Sequence, residues 1–315
     1  MDYIAFSAKA PGSMMIMGEH AVLADKTALC AAVNYYATVH LSARSDTVIA
    51  LSSNHFPPRQ FSLGSFDIER PYDFVLATIK PYSEALPSGF NLHIHTDFLP
   101  TLGLGSSAAV TVATLSVLLQ YCNLPDDKIT MLHAARKIIR NVQGRGSGAD
   151  VAASLFGGLV SYRQSDLAPR QLSRAQAPLL ASYCGYKTPT ALVIADILSR
   201  YEHRTDELSG LYDEIDCLTL ETEAAWEKQD WVNVGRLMNA QFSLQQRLGI
   251  SDPVLNHMMQ VLQSEPTCYG AKISGSGLGD CAIALGNIFE HLFPSIQAPK
   301  AFSLPIMIDE KGCQK

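Results

Sequence analysis

The chain has 315 residues, of which 47% are hydrophobic and 17% charged, and its net charge is −6. That is material for two domains or one large one, and the lack of any Lys/Arg run or basic stripe argues against nucleic acid as a partner. There is no basic stretch followed by an apolar one at the N-terminus and no run of about 20 apolar residues, and the seven cysteines are widely spaced without a C-x-x-C, so the expectation is a cytoplasmic protein with reduced thiols and no membrane partner.

The first third reads as strands and turns. Tyr3–Ser7 is expected as a strand, Lys9–Gly12 as a loop, Met14–Met17 as an apolar continuation and Ala32–Ala43 as a long strand. Asn54–Pro71 is rich in turn residues and reads as irregular. Phe90–Phe98 contains the alternation of a strand with one wet face, on which His93 and His95 share a side; solvation explains that pair more simply than a metal. Ser106–Tyr121 suits a largely buried helix, and Pro125–Val142 a second one with Met131, Leu132, Ala135, Ile138, Ile139 and Val142 on one face. Gly144–Asp150 is a glycine-rich loop and Gly158–Tyr162 a strand.

Arg163–Pro178 is polar and aperiodic and serves as the expected junction between domains at 1–170 and 171–315. Beyond it, Ala191–Ile197 is expected as an apolar strand. Thr205–Glu227 and Trp231–Leu248 are expected as helices, the second carrying Val234, Leu237, Met238, Gln241 and Leu244 along one stripe. Asp252 and Pro253 open a third helix as cap and first turn. Strands return at Tyr269–Ser274, Cys281–Leu285 and Leu304–Ile308. Mixed strands and helices in both halves give an α+β protein.

Chemistry concentrates in Pro100–Ala109, where Gly103 and Gly105 precede a long apolar helix. A helix entrance presents unpaired N–H groups and the positive end of the macrodipole, so it attracts anions. The glycines let backbone approach a phosphate, and Ser106 and Ser107 add hydroxyls that can cap the helix or reach a phosphate-bound metal. A glycine turn that merely caps the helix is the plain alternative. Gly103-x-Gly105-x-x-Ala108 also fits a dinucleotide fingerprint, but that pattern wants a uniformly apolar strand before the loop and an acid at a later strand end. Here the strand is amphipathic, and Asp126 and Asp127 stand at a helix start.

Two more glycine-bearing loops accompany this one: Lys9–Val22, which contains Gly18-Glu-His-Ala-Val22, and Ala271–Asp280. In this order and at these separations the three resemble the motifs of the GHMP kinase superfamily, whose members include galacto-, homoserine, mevalonate and phosphomevalonate kinases. Gly18–Val22 is most similar to the mevalonate kinase branch. The resemblance implies a two-domain GHMP kinase fold, an N-terminal domain of unusual βαβ connectivity and a ferredoxin-like C-terminal domain. It implies ATP and Mg2+ as cofactors, and ATP-dependent phosphorylation of the primary alcohol of mevalonate, giving 5-phosphomevalonate in isoprenoid precursor biosynthesis. The alternatives are a phosphomevalonate kinase, and a nucleotide-binding protein of this fold with altered or lost catalysis. Homodimer formation stays open.

The resemblance also implies roles. Asp150, in Gly146-Ser-Gly-Ala-Asp150, matches the catalytic base; read from its surroundings alone it is equally a helix cap. Gly103, Leu104, Gly105, Ser106, Ser107 and Ala108 match the ATP loop, with Ser107 as metal ligand. Glu19, His20, Arg145, Lys272, Ser274 and Gly275 match the acceptor side, and Thr188 and Thr190 are weaker candidates. Two positions depart from the family. Ser13 stands where mevalonate kinases usually carry a lysine after Pro-Gly, so the expectation is that Lys9 or Arg145 supplies the missing charge. Ile139 stands eleven residues before Asp150, where a second magnesium ligand is common. The wording around Gln143–Ala153 also resembles phosphomevalonate kinases, whose acceptor needs more cations; Arg140, Arg145 and Lys187 are available.

Overall fold

The computed structural model describes residues 5–99, 102–172, 175–288, 292–295 and 297–315. Tyr3 and Ile4, at the start of the expected first strand, lie outside them, as do Pro100 and Thr101 of the glycine loop and Ser173 and Arg174 of the expected junction.

β1 (Ala5–Met17) and β2 (Ala28–Ala43) form a long antiparallel pair. The expected loop at Lys9–Gly12 is instead part of β1. The ladder runs on with Pro11 opposite Tyr36 and shifts register between Pro11 and Gly12, so an irregularity absorbs the proline's missing N–H without ending the strand. β3 (Val48–Ser53) and β4 (Arg59–Ser62) make a hairpin, α1 (Asp73–Ile79) follows, and β5 (Phe90–Thr96) returns parallel to β3. β4 and α1 fall where an irregular tract, or no element, is expected from sequence. β5 alternates buried and exposed residues, with His93 and His95 on the exposed side.

α2 (Ser106–Tyr121), α3 (Lys128–Gln143) and α4 (Ala149–Phe156) then lead to β6 (Leu159–Tyr162) and the short β7 (Arg170–Gln171). The seven strands order as β4-β3-β5-β2-β6-β7, with β1 on the other edge of β2. α1 to α4 close over the sheet, burying Leu76, Val112, Leu115, Leu132 and Leu155 against Leu41, Ile49, Phe90 and Leu92.

The second half begins with β8 (Leu179–Tyr183), all five residues of which are buried. The apolar run Ala191–Ile197, expected as a strand, lies instead in α5 (Thr190–Arg200). Val193, Ile194 and Ile197 are buried at helical spacing while Leu192 and Leu198 face solvent, so the run wraps around a helix rather than lining a sheet. α6 (Thr205–Glu227), α7 (Trp231–Leu248) and α8 (Pro253–Ser264) follow as expected, with the Asp252 carboxylate accepting the Leu255 N–H at 2.9 Å. β9 (Cys268–Ser274), β10 (Cys281–Gly286) and β11 (Phe302–Ile306) complete an antiparallel sheet ordered β11-β8-β10-β9, the last strand starting two residues earlier than expected.

The two sheets share a core. Met14, Ile16, Ala31 and Val33 of β1 and β2 pack with Ala181, Cys281 and Ile283 of the second sheet, and with Trp226, Leu237 and Met238. The chain end returns to the first sheet, where Ile308 bridges Val33 and Gln314 bridges Lys9. The three glycine loops meet along this seam.

Candidate active site

A cleft of about 810 Å³ runs along the seam, lined by residues of all three loops. Its floor is fixed by α2. Gly103 and Gly105 adopt left-handed backbone (φ 68° and 64°), which brings the Leu104 carbonyl within 3.0 Å of the Ser13 amide on β1. A Cβ at Gly105 would overlap the Ser13 hydroxyl, and one at Gly103 the Asp280 carboxylate. Gly105 itself is the N-cap, with no side-chain bond, so capping by Ser106 or Ser107 is not what shapes this end. Gly103, Gly105, Ser106 and Ser107 line the cleft, whereas Leu104 and Ala108 are buried beneath it.

Asp150 faces this loop from the first turn of α4. The cap of α4 is Gly148, which removes the capping alternative for Asp150. The Ser13 hydroxyl donates to Asp150 Oδ1 at 3.0 Å, and the Cys30 thiol approaches the same oxygen at 3.7 Å. The surrounding protein raises the Asp150 pKa above the usual aspartate value by desolvation, against the opposing effects of Ser13, Lys187 and Cys30. The carboxylate is exposed toward the cleft, so water there screens part of this effect.

On the acceptor side, Glu19 is buried and ion-paired with Lys272, and it also accepts from Gln241 Nε2. Gln241 Oε1 in turn accepts the Gly18 N–H at 3.3 Å. His20 is buried, with Nε2 2.9 Å from the Ser276 carbonyl. Burial lowers its pKa, and a carbonyl can only accept, so the neutral ring donates from Nε2 and keeps Nδ1 as an acceptor. The Ser274 hydroxyl donates to the Met15 carbonyl at 3.0 Å, and Ser274 and Gly275 both line the cleft. Thr190 reaches the Ser276 hydroxyl at 3.4 Å, and Thr188 donates to the Leu278 carbonyl.

Not every expected residue arrives. Arg145 lines the cleft. Lys9 does not: β1 carries it to the chain end, where its ammonium lies 3.6 Å from the Tyr36 ring centroid. Lys272 is fully buried behind Glu19 and does not line the cleft; its ammonium pairs with Glu19 and donates to the Met15 carbonyl at 3.4 Å. Ile139 is buried below the loop bearing Gly146, and α3 carries no acid. Among the described residues, no three His, Cys, Asp or Glu side chains converge as a metal site.

Three participants escape a reading of sequence. Asp280 is buried; its Oδ2 is 3.0 Å from Lys187 Nζ, and its Oδ1 has no hydrogen-bond partner among the described residues. The signal was present, since Asp280 is the sole acid in its glycine loop. Lys187 figured only as a cation for a second anionic group. Gln241 stood within an apolar helical stripe, where a buried glutamine already calls for partners.

This architecture matches two family models: "GHMP kinases N terminal domain" over residues 73–158 and "GHMP kinases C terminal" over residues 222–290. The chain belongs to the GHMP kinases. Among curated proteins it is similar to a mevalonate kinase of Methanothermobacter thermautotrophicus, 29% identical over 88% of this chain and 89% of the relative. Among solved structures, the mevalonate kinase of Methanococcus jannaschii superposes with a TM-score of 0.82 at 20% identity, covering 98% of both chains. The galactokinase of Lactococcus lactis gives 0.83 at 17% identity, covering 99% of this chain and 95% of its own, so the fold extends across acceptors. No helix among the described residues is long and apolar enough to cross a membrane.

Proposed function

We propose that this chain is an ATP-dependent kinase that phosphorylates the primary alcohol of mevalonate to give 5-phosphomevalonate. The observation that carries it is the placement of Asp150 across one cleft from the glycine loop that opens α2, with Glu19 and His20 on the adjoining wall. Phosphoryl transfer needs an in-line alcohol, a carboxylate to take its proton and donors for the phosphate oxygens. The amides at the α2 entrance and the Ser106 and Ser107 hydroxyls hold the triphosphate. Asp150 accepts the alcohol proton, and Ser13 orients its carboxylate. Glu19, fixed by Lys272 and Gln241, and His20 bound the acceptor, with Ser274 and Gly275 closing the far side.

The residues fit magnesium: Ser107 offers a hydroxyl oxygen on the cleft, and a cation that keeps its waters needs few protein ligands beside phosphate. Bound there, it would neutralise charge on the phosphate oxygens. Residues 1–170 would carry the ATP loop and the base, and residues 171–315 the wall that completes the acceptor side.

A second reading, phosphomevalonate as acceptor, is supported by the cations Arg145 and Lys187 on the cleft. ADP release from ATP and Mg2+ with each acceptor separates the two. Turnover with mevalonate and not phosphomevalonate is expected; the reverse selects the second reading. ATP binding without turnover on either would count against both.

A further inference from the structure

Asp150 holds no ion pair among the described residues; Ser13 and Cys30 offer it only neutral donors. Glu19, Arg70, Asp73 and Arg145 of the first half share its cleft, and two further charged groups, Lys187 and Asp280, join them from the second half of the chain. Lys187 comes from the loop between β8 and α5, and Asp280 from the end of the loop between β9 and β10. Lys187 is the one lysine among the described cleft-lining residues.

Its position is built rather than incidental. Lys187 Nζ lies 3.0 Å from Asp280 Oδ2. Asp280 is stitched to the same loop by its backbone: its N–H donates to the Tyr186 carbonyl at 2.8 Å, and its carbonyl accepts from Cys184 N–H at 3.0 Å. Asp280 Oδ1 lies against Gly103, where no Cβ would fit, so the anchor also touches the ATP loop. The Lys187 side chain keeps 35% of its surface exposed and lines the cleft.

We propose that Lys187, clamped by Asp280, is the positioning cation that keeps Asp150 ionised when an anionic nucleotide enters the cleft. This rests on the kinase function proposed above. Asp150, Asp280 and a triphosphate in one cleft repel one another, and a base that takes up a proton in advance cannot accept one from the alcohol. A cation fixed between the halves offsets that repulsion, and Ser13 supplies orientation without charge. The cation thus arrives from the second half of the chain, whereas Lys9 of β1 lies outside the cleft.

The test is the pH profile of kcat/KM for mevalonate at saturating MgATP, in the wild type, Lys187→Gln and Lys187→Arg. Lys187→Gln should lower kcat ~10–100-fold and move the acidic limb upward by about one pH unit, since Asp150 then ionises later. The KM for ATP should stay within about threefold, and Lys187→Arg should return most of the limb's shift. Lys187→Met replaces Lys187→Gln should that variant fail to fold. An active wild type whose limb does not move in Lys187→Gln or Lys187→Met overturns this inference alone. A wild type that does not turn over mevalonate overturns the proposed function and this inference with it.

Discussion

Glu19 and Lys272 are both buried, and each is held ionised chiefly by the other. Burial alone drives Glu19 toward its protonated form and Lys272 toward its neutral one. Removing one partner from such a pair typically costs about 3–5 kcal/mol, because a charge stays buried without compensation. Lys272→Met should therefore lower stability by about 3 kcal/mol at neutral pH. The deficit depends on pH in a fixed direction. Without Lys272 the folded-state pKa of Glu19 rises further above its unfolded value, so the folded protein binds a proton that the unfolded chain lacks. The deficit must then grow as pH rises from the unfolded pKa to that raised pKa, stay level above it, and shrink again as pH falls through the same window. Denaturation midpoints at acidic and alkaline pH check this; an equal deficit at both would mean that Glu19 carries no unpaired charge in the variant.

At the scale of elements, the entrance of α2 joins binding to catalysis. Gly105 is left-handed and abuts Ser13, and Ser13 holds Asp150. Gly105→Ala adds left-handed strain of about 1–2 kcal/mol and pushes Ser13 off the carboxylate. ATP binding measured by calorimetry should weaken about tenfold or more, with turnover falling as well, since the amides that meet phosphate shift together. Unchanged affinity would detach the loop from the nucleotide. The same elements show what sequence carries. α2, α6 and α7 have the ends that their apolar spacing implies, because each is long enough for the period to declare itself. The seven-residue α1 and the four-residue β4 are too short for that. α5 misleads because exposed Leu192 joins buried Val193, Ile194 and Ile197 in a short apolar run, Ala191–Ile197, that reads as a strand. β1 hides behind Pro11 and Gly12, whose turn-like wording marks a ladder irregularity.

The whole molecule explains why the site was half legible. The three loops announced themselves through their glycines, and Asp150, Ser107, Glu19 and His20 all reach one cleft or its wall. What sequence left unresolved is long-range pairing, which depends on how distant segments of the chain meet. Lys187 with Asp280, Gln241 with Glu19, and Ser13 with Asp150 are each separated by 93 residues or more, and no local pattern records such contacts. The shared core of β1, β2 and the second sheet, and the return of the chain end to Val33 and Lys9, hold the seam together.

Asp150→Asn tests most directly whether Asp150 is the base opposite a bound nucleotide. The amide keeps the volume and a hydrogen bond to Ser13 but cannot take a proton. With MgATP and mevalonate, turnover should fall ~10²–10⁴-fold, while ATP affinity measured by calorimetry stays within about twofold of wild type, as uniform nucleotide binding predicts. Turnover within tenfold of wild type, with folding and ATP binding intact, would contradict the account.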